Sequence, residues 1–178
     1  MKTYSVTEVL GKYVDWSLIP DKFLAAACQR GSDVHLACSM YAKLGYTLGV
    51  PSTLEGYVLS FTDWFDANVK TVLLNEKHLT CTKFHFTGRP DFVFLLNTDE
   101  IVLNDIKTPL AESKTWKGQL AAYDYLVENY GGIKSDDMMS LRLRPDGKPA
   151  RGVRYGQDRL RYFNYFLSAL NAHRGFIG

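Results

Sequence analysis

An apolar run, Ile101-Val102-Leu103, leads without a turn into Asn104-Asp105-Ile106-Lys107. Branched apolar residues in a short run indicate a β-strand. Side chains alternate along a strand, so Asp105 and Lys107 share one face and Ile106 points to the other. A buried strand that ends in two charges must offset the cost of desolvating them. Upstream, Gly88-Arg89-Pro90-Asp91 opens a second apolar run over residues 90–97. Asn97-Thr98-Asp99-Glu100 has turn composition and joins the two runs as a hairpin. That hairpin brings Asp91 back to the end of the sheet that carries Asp105 and Lys107.

The flanking sequence sets the layers. Ser5-x-x-Glu8 is a capping box that opens a short helix over 5–12. Residues 21–43 have helical spacing of Phe23, Leu24, Ala27, Cys28, Val34, Ala37, Cys38 and Tyr41. Gly31-Ser32 is expected to kink or restart that helix, with Ser32 as a cap. Pro51-Ser52-x-x-Glu55 predicts a second capping box and a helix to about residue 68, with Trp64 and Phe65 inward. Strands are expected over 71–82, 84–87, 90–97 and 101–107. A helix over 115–130 stops at Gly131-Gly132. Strands over 138–144 and 151–155 flank the turn Pro145-Asp146-Gly147. A last helix over 157–173 has Leu160, Phe163, Phe166, Leu167 and Leu170 as its apolar stripe. This order predicts an α/β fold in which helices flank a central mixed β-sheet. No repeat or linker divides the chain, so residues 1–178 are expected to form one domain.

Two carboxylates with few nitrogen ligands favour a hard cation, Mg²⁺ or Mn²⁺. A lysine beside such a cation can orient a water or offset charge on a phosphate. Asp91, Asp105 and Lys107 together therefore suit phosphodiester hydrolysis. Each alone fits a strand end or a solvated face equally well. Gln119 and Tyr123 lie four apart on the predicted helix and share a face. They can reach a phosphate or a base, or simply pack the helix. Of the four histidines, His35 gains weight from its setting, Arg30-Gly31-Ser32-Asp33-Val34-His35.

Taken together, these motifs resemble the PD-(D/E)xK nuclease superfamily, in its RecB-type and phage exonuclease branch. Pro90-Asp91 matches the proline–aspartate, Asp105-Ile106-Lys107 the acidic-x-lysine, and Gln119 with Tyr123 the Gln-x-x-x-Tyr motif. Arg30, Gly31 and His35 match an Arg-Gly-x-x-x-His run on an N-terminal helix. The resemblance spans roughly residues 5–130. It implies a restriction-endonuclease-like core of order α-β-β-β-α-β. It implies that Asp91 and Asp105 bind a catalytic metal, helped by His35 and the Ile106 carbonyl, with the Ile106 side chain in the core. It assigns Lys107 to the attacking water, and Gln119 and Tyr123 to the metal shell or the DNA. Glu76 resembles a further recurring position, with a supporting or structural role. Arg30, Arg89, Lys114, Trp116 and Lys117 are candidate DNA contacts, with a solvated or structural role as the alternative.

The activity so implied is a Mg²⁺- or Mn²⁺-dependent deoxyribonuclease, an exonuclease acting on DNA ends in phage or mobile-element recombination or repair. The alternatives are a structure-specific or restriction-type endonuclease, and a catalytically silent nucleic-acid-binding module of the same fold. The expected partner is DNA, double-stranded with ends or single-stranded. A recombination partner protein and homo-oligomerisation fit the resemblance without any sequence feature demanding them. Cys28, Cys38 and Cys81 lack close spacing, so no iron–sulfur cluster or disulfide framework is expected. No run reaches the ~18–20 apolar residues of a membrane span, and the first residues lack the apolar core of a signal peptide. The expected location is the cytoplasm of a bacterium or an infected cell. Residues 134–178 carry 9 Lys/Arg against 4 Asp/Glu, whereas residues 1–133 carry 12 against 15. A basic C-terminal wall for a polyanion is one use of that asymmetry, and a solvated face is the other.

Overall fold

The computed structural model describes residues 2–176, apart from residues 16, 18 and 110. In chain order the elements are β1 (Tyr4–Ser5), α1 (Val6–Gly11), α2 (Asp21–Leu44), α3 (Ser52–Asn68), β2 (Val69–Asn75), β3 (Leu79–Cys81), β4 (Phe86–Gly88), β5 (Phe92–Leu96), β6 (Ile101–Lys107), α4 (Thr115–Gly131), β7 (Asp137–Arg142), β8 (Arg151–Arg154) and α5 (Arg159–Phe176). A five-stranded sheet runs in the order β2-β5-β6-β7-β8, and a small sheet in the order β1-β4-β3. β5 and β6 pair antiparallel, β6 and β7 parallel, so the main sheet is mixed. Helix α4 is the crossover that a parallel pair requires. The fold is α/β, with helices on both faces of this sheet. Its core order is α-β-β-β-α-β, with β3 and β4 inserted between the first two strands of the main sheet. Among the described residues, no helix is long and apolar enough to cross a membrane.

The period of two along the central strands divides the core. Val93 and Leu103 face α1, α4 and α5, where they meet Leu120, Leu126, Phe163 and Phe166. Phe92, Phe94, Val102 and Ile106 face α2 and α3, where they meet Val34, Cys38, Tyr57 and Phe61. Ile106 is buried in that second core, as its alternation predicts. Phe61, Phe92 and Phe94 form a stacked series, with centroids 5.6 and 4.9 Å apart. Trp64 and Phe65 pack against the same core.

Several local expectations are corrected. The run 71–82 is two strands, because Glu76 takes a left-handed conformation (φ 48°) and the chain leaves one sheet for the other there. The strand expected at 84–87 begins later, at Phe86, after His85 turns with φ 48°. The helix expected to kink at Gly31-Ser32 runs through. Ser32 Oγ donates to the Cys28 carbonyl four residues back, a helix-interior bond and not a cap. The Ser5 box forms in both directions, at 3.1 and 3.3 Å. The one expected at Ser52 does not, because Ser52 already lies in the first turn behind Pro51. Phe23 and Leu160 are exposed. Leu160 stands in the first turn of α5, before that helix meets the core through Phe163 and Phe166.

Helix α3 approaches the turn after β7 so closely that a methyl on Gly56 would overlap the Pro145 carbonyl. Gly56→Ala should therefore destabilise the fold by ~1–3 kcal/mol. Phe61→Ala, which removes a fully buried ring from one end of the aromatic series, should cost ~3–5 kcal/mol. Urea unfolding followed by circular dichroism measures both, and equal midpoints for Gly56→Ala and the parent would contradict the close approach.

Candidate metal centre and active site

The pairing of β5 with β6 ends at Phe92 opposite Asn104. Beyond that point the two strands part. The Ile106 N–H and carbonyl, which point toward β5, lose their ladder partners there. Side chains replace them: Ile106 N–H donates to Asp91 Oδ2 at 2.7 Å, and the Ile106 carbonyl lies 3.1 Å from His35 Nε2. His35 Nδ1 lies 3.2 Å from Asp91 Oδ1. Asp91 is held on its other side by its own backbone, whose carbonyl accepts from Glu76 N–H at 2.7 Å.

Helix α4 supplies the opposite wall. Lys107 Nζ donates to Gln119 Oε1 at 2.9 Å and contacts the Asp105 carboxylate. Gln119 Nε2 lies 3.5 Å from Asp105 Oδ1 and 3.3 Å from the Tyr123 hydroxyl. Tyr123 fits over β4 because residue 88 is glycine; a methyl there would press on the Tyr123 ring and Leu126. His35, Glu76, Asp91, Asp105, Ile106, Lys107, Gln119 and Tyr123 all line one cavity of about 730 Å³. The sequence motifs that lie far apart in the chain thus meet at one place.

The charges explain one another. Burial alone would pull the His35 imidazolium down, but the Asp91 carboxylate overrides it and pushes His35 up to about 9. The geometry agrees. A carbonyl and an ionised carboxylate can only accept, so both ring nitrogens of His35 must donate. Burial also pushes the Asp91 carboxyl up, yet His35 and Lys107 outweigh this and hold it below the usual range. Asp105 goes the other way: burial, with Asp91 nearby, raises it despite Lys107. The Tyr123 phenol is raised by burial first and by Asp105 second, so it remains protonated.

This donor set fits a divalent cation, which would take the place of a His35 proton, since a metal-ligating imidazole is neutral. One oxygen or nitrogen from each of His35, Glu76 and Asp91 lies within 4.8 Å of the others. The Ile106 carbonyl already faces the imidazole. Asp105 Oδ2 is buried, and among the described residues the Lys107 ammonium is what it meets. Carboxylates, a carbonyl and one imidazole suit Mg²⁺ or Mn²⁺ better than a softer metal. Glu76, given only a supporting role by the sequence, belongs to the centre of this group. Its signal was faint, because a single acidic residue at a strand end is common and its left-handed backbone is not legible in the sequence.

Of the other expected site residues, Arg89 and Trp116 line the same cavity, whereas Arg30, Lys114 and Lys117 do not. Arg89 reaches the rim of the cavity, with Nε donating to the Glu76 carbonyl at 3.0 Å and a guanidinium nitrogen 3.4 Å from its carboxylate. Arg30 is not part of the cavity wall, which Gly31 and Ser32 line instead. Lys114 is exposed and outside the lining. Lys117 turns away toward Glu112 (3.9 Å) and the rings of Tyr155 and Tyr162. Trp116 is buried, with its ring in the cavity wall. Several cations of the basic C-terminal stretch are paired with carboxylates. Arg144 pairs with Asp146, Arg154 with Glu100 and Asp137, and Arg159 with Asp124. His78, which the sequence did not single out, lines the cavity 2.6 Å from the Thr87 hydroxyl.

No protein-family model matches the chain, and no curated protein matches it in sequence. Among solved structures the chain is similar to SSO0001, at 14% identity over 83% of this chain and 75% of that one, with a TM-score of 0.41. A likeness of that size carries no argument about function.

The His35 pKa gives a pH prediction for metal-free protein. Folding raises it from an ordinary 6.5 to about 9, so the bound proton stabilises the fold fully below 6.5. That contribution is lost as pH rises toward 9. The melting temperature should fall across this window, and His35→Gln should flatten the fall. Parallel pH curves for the two proteins would contradict the His35–Asp91 pairing.

Proposed function

We propose that this chain is a metal-dependent deoxyribonuclease that hydrolyses phosphodiester bonds, acting at DNA ends. One observation carries the reading. Two aspartates, a histidine, a backbone carbonyl and a lysine ammonium converge at one end of one cavity, with a glutamine tying the lysine in place. His35, Glu76, Asp91, Asp105 and the Ile106 carbonyl would hold a Mg²⁺ or Mn²⁺ ion. Such an ion supplies Lewis-acid stabilisation of charge on the phosphoryl oxygens.

The chain's own groups do the rest. Lys107 has three N–H donors. Asp105 and Gln119 take two of them. The third can hold a water in line with the scissile phosphorus or meet a phosphate oxygen. Gln119 keeps the ammonium at the end of β6, and the buried Tyr123 hydroxyl keeps Gln119 in its rotamer. Arg89 and His78 stand on the cavity rim, where they can contact neighbouring phosphates. Binding through such contacts weakens with salt. The preference for ends, and a role in phage or mobile-element recombination or repair, rest on the resemblance to RecB-type and phage exonucleases.

Purified protein with matched linear and closed-circular DNA tests this reading. Linear DNA should be degraded only when Mg²⁺ or Mn²⁺ is present, the circle should persist, and Lys107→Ala should lower the rate by ~10²-fold or more. Cutting of the circle that needs Lys107 would replace the exonuclease by an endonuclease. DNA binding without cleavage under either metal would leave a silent binding module and overturn the enzyme.

A further inference from the structure

The Lys107 ammonium has a third neighbour that none of the sequence motifs includes. In the parallel ladder Lys107 is the register partner of Arg142, so two cationic side chains project from adjacent strands. Strand neighbours lie only ~4.8 Å apart. Unscreened, two such charges would push each other away. The buried Trp116 ring meets both, with Lys107 Nζ 5.3 Å and Arg142 Cζ 5.2 Å from its centroid. Arg142 is also neutralised, because its guanidinium donates to Glu112 Oε2. Glu112 is fixed in turn by the Tyr155 hydroxyl, 3.0 Å from Oε1. Arg142 Nε is buried without a hydrogen-bond partner, so the ring face and Glu112 are what hold that side chain.

We infer that Trp116 is a positioning residue for Lys107: its ring, backed by the Arg142–Glu112 pair, holds the lysine ammonium toward Asp105 and Gln119 and keeps it from Arg142. The inference deepens the proposed nuclease site but stands on contacts in the metal-free protein. Cation–π attraction is strongest where water is excluded, and the Lys107 side chain is only 11% exposed. Leucine at position 116 fills much of the space without offering a π-face; phenylalanine keeps one.

The test uses full-length, metal-free protein and an N-hydroxysuccinimide ester, with labelling at each lysine measured by mass spectrometry. Trp116→Leu should raise labelling of Lys107 relative to Lys114 by roughly tenfold, and Trp116→Phe should stay near the parent. In DNA cleavage, Trp116→Leu should lower kcat with little change in KM. Parental Lys107 labelling in a folded Trp116→Leu, or equal effects of Leu and Phe, would overturn the inference by reducing Trp116 to packing. Glu112→Gln, at a partly exposed position, is the second variant if Trp116→Leu does not fold. It should also raise Lys107 labelling, and an unchanged value there would overturn the inference. Because labelling needs no metal and no DNA, its outcome is independent of whether the chain cleaves DNA.

Discussion

The site depends on the parting of β5 from β6. Where the antiparallel ladder stops, Ile106 presents an N–H and a carbonyl with no strand to pair with. Buried backbone groups must find partners. Asp91 takes the N–H and His35 takes the carbonyl. One break in backbone pairing therefore collects an aspartate and a histidine from residues far apart in sequence. The same break aims a carbonyl oxygen into the cavity while the Ile106 side chain stays in the core.

The two faces of the sheet contribute different chemistry. Helix α2 on one side delivers His35, and α4 on the other delivers Gln119 and Tyr123. β6 lies between them, with Asp105 and Lys107 turned toward α4. Buried charges tend to cost more than their attraction returns unless their geometry is good and their remaining hydrogen bonds are met. Here Asp91 is satisfied by His35 and Ile106, while Asp105 Oδ2 depends on the Lys107 ammonium alone. Burial raises the Asp105 carboxyl, whereas the Asp91 carboxylate raises His35 against its own burial. A fold that selected only for stability would have little reason to retain such a cluster.

Much of this was legible in the sequence because it follows short-range rules. The alternation in Ile101–Lys107 placed Asp105 and Lys107 together, and the turn at residues 97–100 returned Asp91 to them. Helical spacing gave Gln119 with Tyr123. The misses are tertiary. Glu76 turns on a left-handed backbone angle set by the change of sheet. Arg154 and Arg159 looked free for DNA, but Glu100 and Asp124, distant in the chain, pair with them, and Lys117 turns to nearby Glu112. Gly31 and Ser32 looked like a helix break, yet the burial of Val34 and Cys38 and the Ser32–Cys28 bond carry α2 through. Trp116 looked like a helix-entry contact, and its meeting with Arg142 from the next strand is a tertiary contact that spacing does not show.

The central claim is that one divalent cation site lies where β5 and β6 part. Anomalous diffraction from crystals grown with Mn²⁺ addresses it most directly. The account predicts a strong peak bonded to His35, Asp91 and the Ile106 carbonyl oxygen, with Asp105 or Glu76 completing the shell, and no such peak in Asp91→Asn crystals. A cavity without a peak at saturating Mn²⁺, or a peak that persists in Asp91→Asn, would contradict it.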